Sequence, residues 1–376
     1  MVIKNLRIVT LNGVIENGYI EFNNEKILKI GTNYEKEAID GNNQIALPGF
    51  IDVHIHGSLG YDFMDANKEQ IKQIGDVLYQ EGVTSFLATT LTSDLESLKK
   101  AVKNHYEAKE ITPSLLGTHL EGPYINAKYK GAQNEKYIRN PSIDELNELI
   151  KESHNNIRYI TLAPENDNAI EFIKYATKCG ITCSLGHSDA TFDEAINAID
   201  NGASNITHTH NAMSGYHHRK PGLLAAAMFK DNIYTEVICD LIHVCENTLK
   251  TYYKIASSDK FMIITDALQA KHSTVDHFQL FGLDCVNQNG AAYLVNGGNL
   301  AGSLLNFDQG IRNVYKTCQC SLVDIMKISS YNQAKSLHLN DRGLLKENYL
   351  PDFVLLDDNL NIKKVYKLGK LVYENN

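Results

Sequence analysis

The sequence predicts an α/β protein: a (β/α)₈ barrel of the TIM type, with a small β-rich module formed by the two ends of the chain. Three observations predict it. Eight apolar segments of strand length recur between residues 50 and 268. Stretches of helical periodicity separate them, in the rhythm that closes a parallel barrel. β-rich segments stand at both ends of the chain, and a lone short segment cannot bury its apolar face, so the two are expected to fold together.

From Val2 to about Leu47 the chain reads as short strands, VIKNLRIVT and GYIEFNNEKILKIG, punctuated by Asn-Gly and Asn-Asn turns. The barrel strands are then FIDVHIH, TSFLATT, LLGTHLEG, RYITLAP, TCSLGH, NITHTH, YTEVICD and MIITDAL. Helices are read in KEQIKQIGDVLYQEG, LESLKKAVKNHYEAK, SIDELNELIKES, NAIEFIKYATKCG and FDEAINAIDNG, whose apolar residues recur on one face. A doubly wound open sheet is the alternative, but no glycine-rich dinucleotide turn favours it. The chain closes on FVLLD and KKVYKLGKLVYE, after the turn at Pro351-Asp352. Residues 1–47 and 345–376 are thus expected to form the small module, and 48–344 the barrel.

At 376 residues the chain can hold one large core and a companion. Its 43% hydrophobic and 22% charged content excludes wholesale disorder and a fibrous architecture. The net charge is -9, and no run of Lys or Arg makes a phosphate-tracking stripe, so nucleic acid is not an expected partner. The opening MVIKNLRIVTLNGVIENG alternates apolar and polar residues without the apolar core of a signal peptide, and no later stretch is apolar for the length of a bilayer. A soluble protein with no membrane partner is expected. Seven scattered cysteines, never spaced as CxxC, suit a reducing cytoplasm.

The residues that carry chemistry stand at strand ends, where a barrel builds its active site. His54 and His56 lie two apart on one strand, so both point to one side, either as metal ligands or as a structural pair. Glu121 ends another strand before a Gly-Pro turn, as a ligand or as a helix-capping acid. His187 and His208 repeat the arrangement, and each alone reads more readily as a satisfied buried histidine. Together they are harder to explain by packing, since buried ionisable groups cost free energy unless paired or metallated. A His and Glu set suits zinc, or iron, manganese or cobalt. Asp266 ends the last barrel strand, either as the N-cap of the next helix or, opposite a water held by the cation, as a general base that later returns the proton to a departing nitrogen.

The motifs PGFIDVHIHG, THLEGP, LGHSDA, THTHNAM, RKPG, DLIH, ITDA and LAGS, in this order and over nearly the whole chain, resemble the N-acetylglucosamine-6-phosphate deacetylase family of the amidohydrolase superfamily. The resemblance implies a barrel of the metal-dependent hydrolase type, a small β-sandwich from both termini, and a homodimer. It implies that Glu121, His187 and His208 bind the principal metal and that Asp266 is the catalytic acid and base. Some members lack the second histidine of HxH and hold one metal; this chain keeps both His54 and His56, which makes room for a second. One or two divalent ions per subunit are expected, zinc first among them. Glu121 stands where the branch using a carboxylated lysine would place Lys, which argues against that branch.

The resemblance also implies the substrate, N-acetylglucosamine 6-phosphate, and its contacts. Asn211 and Ala212 hold the sugar phosphate, Arg219 the phosphate, Asp240 and His243 form a further contact, and Leu300, Ala301 and Gly302 form a small-residue turn lining the sugar site. Arg219 read without the motif is a solvated surface charge; its planar fork suits an anionic oxygen group. There is one departure: where many members carry a carbonyl-polarising histidine, this chain has Ala132-Gln133, and a glutamine amide donates a hydrogen bond but never becomes a cation. His210 stands where an aromatic residue is usual and is not assigned to the metal. Deacylation of an N-acyl amino acid is an alternative activity, which equal rates with and without the 6-phosphate would favour. A catalytically dead sugar-phosphate sensor is the alternative outside enzymes, and the retention of Asp266 with every ligand counts against it.

Overall fold

The computed structural model describes residues 1–280 and 282–375. Eight strands, Phe50–Ile55, Val83–Thr89, Leu115–Glu121, Ile157–Leu162, Thr182–Leu185, Ala203–Ile206, Tyr234–Ile238 and Phe261–Ile264, lie side by side in parallel and in chain order. A parallel bridge between Ile55 and Ala267 joins last to first, and the Asp266 N–H donates to the His54 carbonyl at 2.8 Å. Each apolar segment of the sequence therefore supplies one barrel strand. Every residue of Val83–Thr89 is buried, as a strand covered on both faces requires.

The helices form because their apolar residues share a face and their first turns are capped. Helix Lys68–Leu78 buries Ile71, Ile74, Gly75 and Leu78, and Asn67 and Gln70 exchange reciprocal capping bonds at its start. Helix Leu95–Ala108 opens on the Asp94 carboxylate, which accepts from the Ser97 N–H. Helix Leu223–Phe229 has the sequence LLAAAMF, which is apolar nearly all round and so carries no period to read.

Inside the barrel, Ile51, Val53, Leu87, Tyr159, Ile238, Met262 and Ile264 pack with Ala334 and Leu337 into an apolar floor. Above that floor the interior turns polar, toward the strand ends.

The two chain ends share one eight-stranded sheet. Phe353 pairs with Pro48 and Val354 with Leu47, antiparallel, which brings Phe353–Leu356 against Ile45–Pro48. Alternate residues face opposite ways: Ala46, Phe353 and Leu355 enter a core with Ile3, Leu6 and Phe22, while Leu47, Val354 and Leu356 join the core that wraps the barrel.

One element departs from the expectation. Residues 277–303 form an antiparallel meander, His277–Leu280, Leu283–Gln288, Ala291–Leu294 and Leu300–Ser303, after the last barrel strand. Leu300, Ala301 and Gly302 are therefore strand residues and not a turn. Pairing with Ala291–Leu294 on one side and a bridge from Ser303 to Ala267 on the other give this backbone its hydrogen bonds. Among the described residues, no helix is long and apolar enough to cross a membrane.

Candidate metal centre and pocket

Each donor reaches the barrel mouth through the local shape of its strand end. His187, His208 and Asp266 all carry positive φ, at 47°, 29° and 49°. The left-handed conformation costs a residue with a Cβ roughly 1–3 kcal/mol, and its recurrence at three strand ends marks a place where geometry is held for function. On the first strand, Ile51 and Val53 point into the floor while His54 and His56 turn to Glu121; a register shift between Asp52 and Ile55 permits the change of facing.

Two donor groups result. Glu121 Oε1 lies 3.2 Å from His187 Nε2 and 3.2 Å from His208 Nε2, and those nitrogens are 3.0 Å apart. Asp266 Oδ1 lies 3.3 Å from His54 Nε2 and 3.2 Å from His56 Nε2, themselves 3.3 Å apart. The groups touch, because Glu121 also stands 3.3 Å from both His54 and His56. In each, the ligand atoms fall within 4.8 Å of one another.

These spacings fit a cation. Donors at 2.0–2.1 Å from one tetrahedral ion lie about 3.3–3.4 Å apart, close to the edges seen here. A proton can satisfy one edge of the Glu121–His187–His208 triangle, whereas an ion at its centre satisfies all three. His187 is already set for the role: its Nδ1–H donates to the Tyr129 carbonyl at 2.7 Å, which leaves Nε2 as a lone pair.

The electrostatics agree. Burial opposes charge on Glu121, but His54, His187 and His208 hold its carboxyl well below the usual range. Burial also opposes charge on Asp266, and His54 and His56 hold it below its ordinary value, as a base requires. Burial likewise disfavours the His56 cation, yet Asp266 and Glu121 outweigh it and push the pKa up to about 9. Carboxylates that favour a cationic histidine beside them favour a divalent cation in the same place.

Above the donors opens a pocket of about 390 Å³ lined by His56, Glu121, His187, His208 and Asp266 together with Ala132, Gln133, Asn211, Ala212, His243, Leu300, Ala301 and Gly302. The Gln133 amide is oriented without ambiguity. Its Oε1 accepts from the Thr92 N–H at 2.7 Å, so the amino group faces Glu121 at 2.5 Å and the pocket. Asn211 Nδ2 is buried and has no partner among the described residues, which leaves a donor for a ligand. Gly302 has φ 135°, and a Cβ there would meet Leu268 at 2.9 Å, so only glycine lets this strand lie against the loop after Asp266.

Two expected contacts lie elsewhere. Asp240 does not line the pocket; its Oδ2 accepts from His243 Nδ1 at 2.6 Å, so it orients His243, which does. Arg219 is exposed and does not line the pocket; it lies in an exposed loop with its guanidinium against His218. His210 packs edge-on against Tyr252 at 4.8 Å and does not line the pocket. The sequence reading passed over the loop Ala127–Gly131 and Asn299, which also line it, and Glu236, which lies beneath His54. For the loop, its place directly after the Glu121 strand was the available signal; for Glu236, an acid inside an otherwise apolar barrel strand.

Comparison with known proteins places the chain. The amidohydrolase family model matches residues 45–372. The N-acetylglucosamine-6-phosphate deacetylase of Bacillus subtilis (strain 168) is 38% identical, over 99% of this chain and 97% of the relative. The crystal structure of the enzyme of that name from Thermotoga maritima is 35% identical with a TM-score of 0.92, over 100% of both chains. A mutant of the Mycobacterium smegmatis enzyme, solved in complex with N-acetyl-D-glucosamine-6-phosphate, is 25% identical with a TM-score of 0.93, over 99% of both chains. A match this long, on a barrel whose strand ends bring together two groups of residues that could hold a metal ion, means that the chain belongs to the amidohydrolase family.

Proposed function

We propose that the protein hydrolyses N-acetyl-D-glucosamine 6-phosphate to D-glucosamine 6-phosphate and acetate. The observation that carries the proposal is the wall of the pocket, where Glu121, His187 and His208 converge beside Asp266 in a chain similar over its whole length to enzymes of that activity.

Glu121, His187 and His208 would hold the principal divalent ion, and His54, His56 and Asp266 a second; zinc is the first choice, with iron, manganese and cobalt suited to the same donors. When bound, such an ion polarises the acetyl carbonyl and acidifies water. Asp266 takes the proton of the attacking water as the new C–O bond forms, then delivers it to the amine nitrogen as the C–N bond breaks. The Gln133 amino group donates to the acetyl carbonyl oxygen and supports the charge that develops there. Asn211, Ala212 and His243, the last held by Asp240, bind the sugar phosphate, and the Leu300–Gly302 edge confines it. Arg219, directly after His217 and His218, which line a surface groove with the exposed Tyr216 and Phe229, serves the pocket of a second copy in a homodimer. A cytoplasmic protein fits a phosphorylated sugar as substrate.

The test is acetate release by the purified protein, with elemental analysis of the same sample. A strong preference for the 6-phosphate over free N-acetylglucosamine is expected; equal rates on both would overturn the assignment.

A further inference from the structure

Beneath the donor groups lies a carboxylate that the hydrolysis above leaves unused. Glu236, in the seventh barrel strand, is fully buried, and among the described residues its only ion-pair partner is His54. Its oxygens divide their work: Oε1 accepts the Tyr159 hydroxyl, while Oε2 lies 3.1 Å from His54 Nδ1 and 3.4 Å from the His208 N–H. Burying a carboxylate without Lys or Arg is costly, so a site that retains one needs a compensating charge nearby.

With its proton on Nδ1 facing Glu236, His54 is left with Nε2 as a lone pair, and that atom is the one directed at Asp266 and Glu121. His56 has no such support, since its buried Nδ1 finds no partner among the described residues. The charge count points the same way. Two divalent ions would bring four positive charges against the two carboxylates of Glu121 and Asp266, and Glu236 places a further carboxylate against His54.

We propose that Glu236 is a positioning residue that builds the second cation site, fixing His54 as the Nδ1–H tautomer and offsetting the charge of the second ion, with Tyr159 holding the carboxylate in place. This rests on the two-ion reading given above. Glu236→Gln keeps size and an accepting oxygen but removes the charge. Titration of the metal-free protein with cobalt, read by its absorption spectrum and by elemental analysis after dialysis, should find two ions per wild-type subunit. In Glu236→Gln the second ion should bind roughly 10- to 100-fold more weakly and the first unchanged. If that variant does not fold, Tyr159→Phe reads the same contact, with a smaller weakening of the second ion alone. Two ions bound with wild-type affinity in the folded variant would overturn the role of Glu236 and leave the two-ion reading standing. A wild type that never takes up more than one ion would overturn both.

Discussion

Two regions of this barrel bury histidines, and they differ in what the rings face. Behind the strands, His105 on helix Leu95–Ala108 is fully buried, with Nε2–H donating to the Phe63 carbonyl at 2.8 Å and Nδ1 accepting from the Thr118 hydroxyl at 2.9 Å. Neutral partners satisfy both nitrogens, and burial drives its pKa down to about 4. At the barrel mouth, His54, His56, His187 and His208 turn Nε2 toward carboxylate oxygens and toward one another. Burial is common to both regions, so it does not identify a ligand. What sets the mouth apart is a nitrogen whose neighbours are anions and other nitrogens, an arrangement suited to a divalent cation.

Removing the cation should break the comparison most visibly. Chelation should abolish acetate release and lower the thermal unfolding midpoint, with zinc restoring both, because an ion bound only by the native state stabilises it. Full activity after chelation, verified by elemental analysis, would contradict the centre. Asp266→Asn should lower kcat by about 10²–10⁴-fold, the usual weight of a general acid or base, while the ion at Glu121, His187 and His208 remains measurable. Near-normal turnover would remove Asp266 from the chemistry.

Gln133→Ala should act more mildly. Losing one donor to the developing oxyanion is expected to reduce kcat by about 10-fold with KM little changed, since a hydrogen bond of this kind contributes on the order of 1 kcal/mol. A change confined to KM would instead make Gln133 a binding residue. His105→Gln should leave activity and metal content alone and affect stability only. The folded pKa of His105, about 4, lies below the 6.5 of the free side chain, so between these values the unfolded chain takes up a proton that the native one refuses. Its stabilising contribution is complete above the unfolded pKa and declines as pH falls toward 4. Denaturant midpoints of the metal-free variant should accordingly drop less than those of the wild type between pH 7.5 and pH 5, and an equal drop would refute this account.

The barrel was legible because its signals are local. An apolar run between helical stretches specifies a buried parallel strand without reference to its neighbours, and the polar residue at its end is then at the mouth by position alone. His54, His56, Glu121, His187, His208 and Asp266 are read as candidates in that way, and their side chains lie together. The meander at 277–303 was missed because its short strands, separated by Gly and Asn, follow no barrel rhythm. Glu236 was missed although its strand was read correctly, because what makes it matter is a histidine 182 positions away.

By itself, then, the sequence determined the alternation of apolar strands with amphipathic helices and which side chains stand at the strand ends, since all of these follow from period, propensity and position along one segment. The tertiary structure decided which nitrogen of each histidine faces the centre, which way the Gln133 amide points, and that Arg219 lies outside the pocket of its own chain. Those outcomes depend on groups far apart in the chain, such as the Thr92 N–H that fixes the amide of Gln133 across 41 positions, and they exist only once the sheet has closed on itself.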